Sequence, residues 1–298
     1  MLRPAVDADL DSCGLVWRDA TADYQVRLNQ PAPTVDLSRI RRLHAHALAT
    51  DPDRFVVDER VGPDGAREIV AFGSAVRRGS VSFLSMLFVR PDQQGRGIGR
   101  AILERVLPRD GSILATATDS AQPVSNALYA GLGIVPRVPL WGVVGRPGAA
   151  WAPPPLPDGY VTGELAAVDA AEVDELDLEV LGFAHRADHA YLEREGAIGI
   201  AHRGAGGRLA GYAYARPSGQ LGPVAVRDPA ALGAVAGHAL EACEPRGASF
   251  AWVPGTADGA WRVLLGAGLR LDGFPILLCW TEPFADLGRY LPISPGLL

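Results

Sequence analysis

Ser82-Phe83-Leu84-Ser85-Met86-Leu87-Phe88-Val89-Arg90-Pro91-Asp92-Gln93-Gln94-Gly95-Arg96-Gly97-Ile98-Gly99-Arg100 is the stretch on which the reading of this chain turns. Residues 81–90 are rich in β-branched and aromatic side chains and read as a strand. The strand runs into Pro91, which has no N–H to donate to a ladder. Gly95, Gly97 and Gly99 then permit a tight turn with several backbone N–H groups facing one way. A helix is predicted from Ile98 to Leu107, so its unpaired first-turn N–H groups and positive dipole end point at the same spot. Such a junction is an anion site, most naturally for a pyrophosphate, with Arg96 and Arg100 adding charge. Glycines between a strand and a helix also serve as plain connections. Two other nucleotide signatures are absent: no Gly-x-x-x-x-Gly-Lys-Ser/Thr run occurs, and position 100 is Arg instead of the third glycine of a dinucleotide fingerprint.

Working outward, the spacing of apolar residues predicts a short strand at 2–6 and helices at 7–22 and 35–50. Strands follow at 55–59 and 68–77, separated by the turn residues Gly62-Pro63-Asp64-Gly65. Beyond the glycine loop come a strand at 113–118, a short helix at 124–130 and a strand at 137–144. Arg146 to Asp158, RPGAAWAPPPLPD, opposes both helix and ladder pairing and reads as a semi-rigid linker. The second half then repeats the element order of the first, with strands at 160–164, 197–203, 209–216, 220–226, 248–253 and 271–280. Its helices are expected at 168–181, 187–195, 230–243 and 259–265. Gly204-Ala205-Gly206-Gly207 reads as a hairpin turn and not a second phosphate loop. The expected organisation is α+β: a domain at 1–146, a proline-rich linker at 147–158 and a second copy of the same fold at 159–298.

The 298 residues suffice for two domains that each bury a core. A net charge of -6 argues against a general nucleic-acid binder, which would present a basic face. Cys13, Cys243 and Cys279 are far apart and odd in number, with no Cys-x-x-Cys and no Cys/His cluster, so they read as buried small hydrophobes and no metal is expected. The N-terminus has no apolar core of signal-peptide length, and no apolar run is long enough to span a membrane. A cytoplasmic location without membrane partners is therefore expected.

The glycine loop supports a further identification. Leu87-Phe88-Val89-Arg90-Pro91 followed by Gln94-Gly95-Arg96-Gly97-Ile98-Gly99 resembles the acetyl-CoA motif of the GCN5-related N-acetyltransferase (GNAT) superfamily, Gln/Arg-x-x-Gly-x-Gly/Ala after a strand ending in Leu-x-Val-x-Pro. Ser125-Asn126-Ala127-Leu128-Tyr129-Ala130-Gly131-Leu132-Gly133-Ile134 resembles the family's second signature, a short helix carrying Leu-Tyr before Leu-Gly-Phe. The resemblance implies two tandem GNAT-like domains, each a mixed, mostly antiparallel central sheet flanked by helices. It implies acetyl-CoA as co-substrate and a small-molecule or peptide amine as acceptor, acetylated by direct attack on the thioester. Backbone groups of Leu87, Phe88 and Val89 would hold the pantetheine arm, and amides from Gln94 to Gly99 (Gln94, Gly95, Arg96, Gly97, Ile98 and Gly99) the pyrophosphate, with Arg100 adding charge. Asn126 would bond the arm near the thiol. Tyr129 would protonate the leaving thiolate, a chemically sensible task for a positioned phenol.

The base that frees the amine is less visible. Ser82 and Ser85 stand where many relatives carry Glu, which leaves Asp119 as the nearest acidic candidate; it reads equally as a turn residue. His44 and His46 read as a pair of surface histidines, and Trp17 and Tyr24 as packing on the sheet. The absence of a plain base keeps a second reading open, a non-catalytic acyl-CoA sensor. In the second half, Leu221-Gly222-Pro223-Val224-Ala225-Val226-Arg227-Asp228-Pro229-Ala230 has the strand and the helix start but no Gly-x-Gly, and the short helix at 259–265 has no tyrosine. This half is expected to be a degenerate copy whose work is structural: covering the sheet, closing the acceptor cleft or mediating self-association.

Overall fold

The computed structural model describes residues 1–31, 36–62, 65–107, 110–243 and 247–298. The chain packs as two units, Met1–Leu114 and Ala115–Leu298. The expected division into 1–146 and 159–298 places the break later than this packing does, for a reason visible in the strand pairing below.

The first unit contains β1 (Leu2–Pro4), α1 (Leu10–Arg27), α2 (Leu37–Thr50), β2 (Phe55–Val61), β3 (Arg67–Arg78), β4 (Val81–Val89) and α3 (Ile98–Val106). The expected start of α2 at Val35 and the turn residues Pro63 and Asp64 lie outside the described residues. β1 to β4 pair in chain order, all antiparallel. Alternation along the strands brings Phe55, Phe72 and Phe88 into one row, with ring centroids 5.9 and 5.7 Å apart. Trp17 of α1 meets the edge of Phe88 at 6.3 Å, and His44 of α2 meets Phe72 at 4.9 Å. His44 and His46 are buried, not the surface pair expected, because α2 turns this edge toward the sheet. α3 buries Ile98, Ile102, Leu103 and Val106, one helical face. A Cβ at Gly73 would stand 2.5 Å from Ile102, so only glycine lets α3 come this close to β3.

β5 (Ile113–Asp119) leads into the second unit, followed by α4 (Pro123–Ala130), β6 (Val135–Gly145), β7 (Val161–Glu164), α5 (Ala170–Leu181) and α6 (Arg186–Arg194). Then come β8 (Ile198–Arg203), β9 (Leu209–Ala215), β10 (Gln220–Val226), α7 (Leu232–Glu241), β11 (Ser249–Pro254), α8 (Asp258–Gly266), β12 (Arg270–Trp280) and β13 (Tyr290–Leu291). The strands run in the order β5-β12-β6-β11-β10-β9-β8-β7, with β13 on β10. Among the pairs from β5 to β13, β10 and β11 run parallel and the others antiparallel, so the fold is α+β with a mixed, mostly antiparallel sheet flanked by helices.

The order of strands holds an exchange. β12, the last long strand of the second half, lies antiparallel between β5 and β6 of the first half, pairing Leu277 with Thr118 on one side and with Pro139 on the other. β6 in turn pairs with β11 through six residue pairs from Ser249↔Gly145 to Pro254↔Leu140. The ladders thus cross the proline-rich segment, and a cut there would divide a continuous hydrogen-bonded surface. That segment has neither helix nor strand. It is nonetheless packed: Trp151 and Leu156 lie against the core around Val235, Ala236 and Leu264, and Pro153 and Pro154 lie against Gly237. All three cysteines are buried, which pushes the thiols up to about 12 at Cys13 and about 11 at Cys243 and Cys279.

Candidate functional site

β4 is delivered to the glycine loop by its ladder with β3, which pairs Gly73 with Leu87, Phe72 with Phe88 and Ala71 with Val89. The register shifts between Met86 and Leu84, so Ser85 has no opposite residue on β3. Beyond Val89, Arg90 holds the corner. Its amide donates to Val70 at 2.9 Å, and its guanidinium donates to Asp92 at 2.6 and 2.9 Å and to Glu68 at 2.8 Å. These donations, with that of the Gln93 side chain, hold the Asp92 carboxyl down at about 2. A single turn at Pro91–Gln93 follows, and the Gln94 side-chain amide donates back to the Val89 carbonyl at 3.0 Å.

Gly95 and Gly97 both adopt positive φ, +76° and +79°. A Cβ at either would touch nothing within 4 Å, so these glycines are there for backbone conformation and not to avoid a crowding neighbour. Gly97 is the N-cap of α3, and its carbonyl accepts the first helical bond from Ala101 at 3.1 Å. With no side chain, Gly97 cannot cap the first-turn amides of Ile98, Gly99 and Arg100. Residues 94–97 are exposed, and Arg96 donates to the Asp92 carbonyl at 3.2 Å. The geometry is a helix N-terminus that no N-cap side chain closes, and such ends attract anions.

The other expected residues lie in the second unit. Asp119 ends β5, and its carboxylate accepts from the Ala121 amide at 2.9 Å, a local turn bond. Its carbonyl accepts from the Asn126 side-chain amide at 2.9 Å, and that same NH2 group reaches the Gln122 carbonyl at 2.8 Å. Asn126 is thereby fixed with its Oδ1 buried and without a hydrogen-bond partner among the described residues. Tyr129, on α4, is buried; desolvation, with a lesser contribution from Cys279, pushes its phenol well above the usual range. At neutral pH it is therefore an O–H donor. Ser82 is buried in β4 and accepts from the Ser112 hydroxyl at 3.0 Å.

The equivalent junction of the second half is built differently. Asp228 caps the single turn at Pro229–Ala231 by accepting from the Ala230 amide at 2.9 Å, and Pro229 supplies no N–H. α7 follows directly, and a Cβ at its Gly233 would lie 2.6 Å from the Gly259 carbonyl. β10 and β11 are paired only at Gln220↔Phe250 and Leu221↔Ala251. Where they diverge, β13 enters beside β10, pairing Tyr290 with Ala225 and Leu291 with Val224, while Gln220 donates to the Ile293 carbonyl at 2.7 Å. The sequence reading missed β13 because two paired residues carry no periodicity of their own.

Residues 43–133 match the acetyltransferase (GNAT) domain family. No curated protein sequence matches the chain. Among solved structures, a Pyrococcus horikoshii protein assigned as an acetyltransferase superposes with a TM-score of 0.75 at 16% identity, covering 100% of this chain and 95% of its own. A GCN5-related N-acetyltransferase of Sphaerobacter thermophilus gives 0.62 at 17% identity, covering 97% and 98%. A tandem GNAT protein from the clavulanic acid biosynthesis pathway gives 0.55 at 18% identity, covering 96% and 99%. These likenesses extend over both halves of the chain and bear on its fold.

Proposed function

We propose that this chain, a member of the GNAT superfamily by its residues 43–133, is an N-acetyltransferase that moves an acetyl group from acetyl-CoA to a primary amine of a small molecule or peptide. The observation that carries this is the Gly97-capped N-terminus of α3, whose first-turn amides face an exposed loop with no side chain of their own to satisfy them. When bound, acetyl-CoA supplies the acetyl group as an activated thioester. The amides of residues 94–99 hold its pyrophosphate, and the backbone of Leu87 and Val89 orients the pantetheine arm. The unpartnered Oδ1 of Asn126 accepts a hydrogen bond from an amide of that arm. The amine attacks directly. Tyr129, kept protonated by burial, donates to the sulfur as negative charge develops there.

The loop-bearing half is the functional copy in this reading, and the second half is structural. Its helix start is already capped by a carboxylate, and the fork between β10 and β11 receives the chain's own β13. A second reading, an acyl-CoA sensor without turnover, is favoured by one observation: the Asp119 carboxylate is engaged in its own turn and stands poorly placed as a base.

Calorimetric titration with acetyl-CoA, followed by thiol release against a panel of amines, tests both readings. Saturable binding with turnover supports the transferase, and binding without turnover for any amine supports the sensor. Tyr129→Phe is expected to leave the KM for acetyl-CoA within about twofold and to lower kcat by about 10- to 100-fold. A rise in KM with kcat unchanged would instead make Tyr129 a binding residue.

A further inference from the structure

The second unit contains a buried polar cluster that neither the glycine loop nor α4 uses. Asp177 lies on α5, His185 is the N-cap of α6, and His189 lies one turn further along the same helix face. Tyr212 and Tyr214 approach from β9 and Tyr290 from β13, and each of these six residues is at most 8% exposed. One ligand atom from each of Asp177, His185 and His189 lies within 4.8 Å of the others. Asp177 Oδ2 stands 3.0 Å from His189 Nε2 and 3.4 Å from His185 Nε2. Donors bound about 2.0–2.1 Å from a tetrahedral ion are themselves about 3.3 Å apart, so this spacing is that of a ligand set.

The outer contacts point the same way. Asp177 Oδ1 accepts from the Tyr212 hydroxyl at 2.7 Å, and His189 Nδ1 meets the Tyr214 hydroxyl at 2.9 Å. His185 Nδ1 faces Asp188 at 3.7 Å. In Asp177 and His189 the atom turned away from the common point is held by a tyrosine hydroxyl, the arrangement that orients metal ligands, while His185 Nδ1 makes no hydrogen bond among the described residues. Tyr212 also stands 3.3 Å from His185 Nε2, so its oxygen borders the same point. Tyr290 is wholly buried, and its phenol oxygen has no hydrogen-bond partner among the described residues. Two imidazoles with a carboxylate suit the zinc class better than magnesium or calcium.

We propose that Asp177, His185 and His189 form a buried site for a divalent transition-metal ion of the zinc class. Such an ion ties α5 to α6. Burial of all three ligands suits a structural centre rather than a catalytic one open to substrate. The sequence carries a trace of it in His185-x-x-x-His189 eight residues after Asp177.

The test uses the tag-free full chain, stripped with chelator and titrated with Zn2+ by calorimetry and with Co2+ by visible absorption. One equivalent is expected to bind, with a tetrahedral cobalt spectrum and a rise in Tm on adding Zn2+. His189→Gln is expected to lower affinity at least about 100-fold. Tyr214→Phe, which removes only an outer contact, is expected to lower it about 10-fold while leaving the metal-free fold intact. Failure of the wild-type chain to bind either ion stoichiometrically would overturn the proposal and leave a metal-free hydrogen-bond network. Unchanged binding in both variants would overturn it equally, by placing the ion elsewhere.

Discussion

The strand-to-helix junctions β4–α3 and β10–α7 start from the same plan and end in opposite electrostatic states. In the first, two glycines at positive φ bring the chain to a helix start whose amides are uncapped and exposed. In the second, a proline removes one N–H and the Asp228 carboxylate engages another. One junction offers hydrogen bonds to an anion, and the other has already spent them on the chain itself. If the first junction is the cofactor site proposed above, a few residues at one turn suffice to set the two junctions apart without a change of topology.

The largest test of this comparison concerns dependence. If the second half is structural, a chain ending at residue 146 leaves β5 without β12 and β6 without either neighbour. It is expected to show no cooperative thermal unfolding and no acetyl-CoA binding; a folded, cofactor-binding fragment would break the comparison outright. The next effect lies beneath the loop. Burial pushes His44 down to about 4 from 6.5, while its Nε2 sits 3.0 Å from the sulfur of Met86 on β4. Between these values the unfolded chain binds a proton that the folded chain refuses. Stability from this group is therefore complete above about pH 6.5 and is lost as the pH falls toward 4, by up to about 3 kcal/mol. Urea unfolding midpoints at pH 7 and 4.5 should converge in His44→Leu; an unaltered pH slope would show that other groups carry it.

Gly97→Glu addresses the loop itself. It places a side chain at φ +79° and a carboxylate where the anion should sit, so acetyl-CoA affinity is expected to fall by at least about 100-fold, or about 2.7 kcal/mol. Retained affinity would sharpen the comparison against the cradle. The smallest effect belongs to the other junction: Asp228→Ala should cost about 1 kcal/mol of stability as a lost cap and leave acetyl-CoA affinity unaltered. Weakened binding there would assign the second half a part in the cofactor site.

Much of this was legible from residue order. β4, β10 and α3 fall within a residue of their expected bounds, because apolar periodicity, Pro91 and Gly97 all act locally. The open glycine turn before α3 was legible for the same reason. The strand exchange was not: β12 has the same alternation whether it pairs with β6 alone or enters between β5 and β6, and partner choice is a long-range matter. Asp119 illustrates a second limit. Its sequence fits a base and a turn equally, and the 2.9 Å bond from Ala121 shows the turn while leaving the second carboxylate oxygen outside it. The burial of His44 was hidden because α2 places its histidines two apart, which suggests no common face, yet both are enclosed.

The position of β12 also has a consequence for synthesis on the ribosome. β5 and β6 emerge well before the strand that joins them, which comes from residues 270–280. Until that strand is made their facing edges lack a partner, the state in which strands recruit unintended neighbours. Pairing in this region therefore waits for residues 270–280, and the nascent chain needs protection until they have left the exit tunnel.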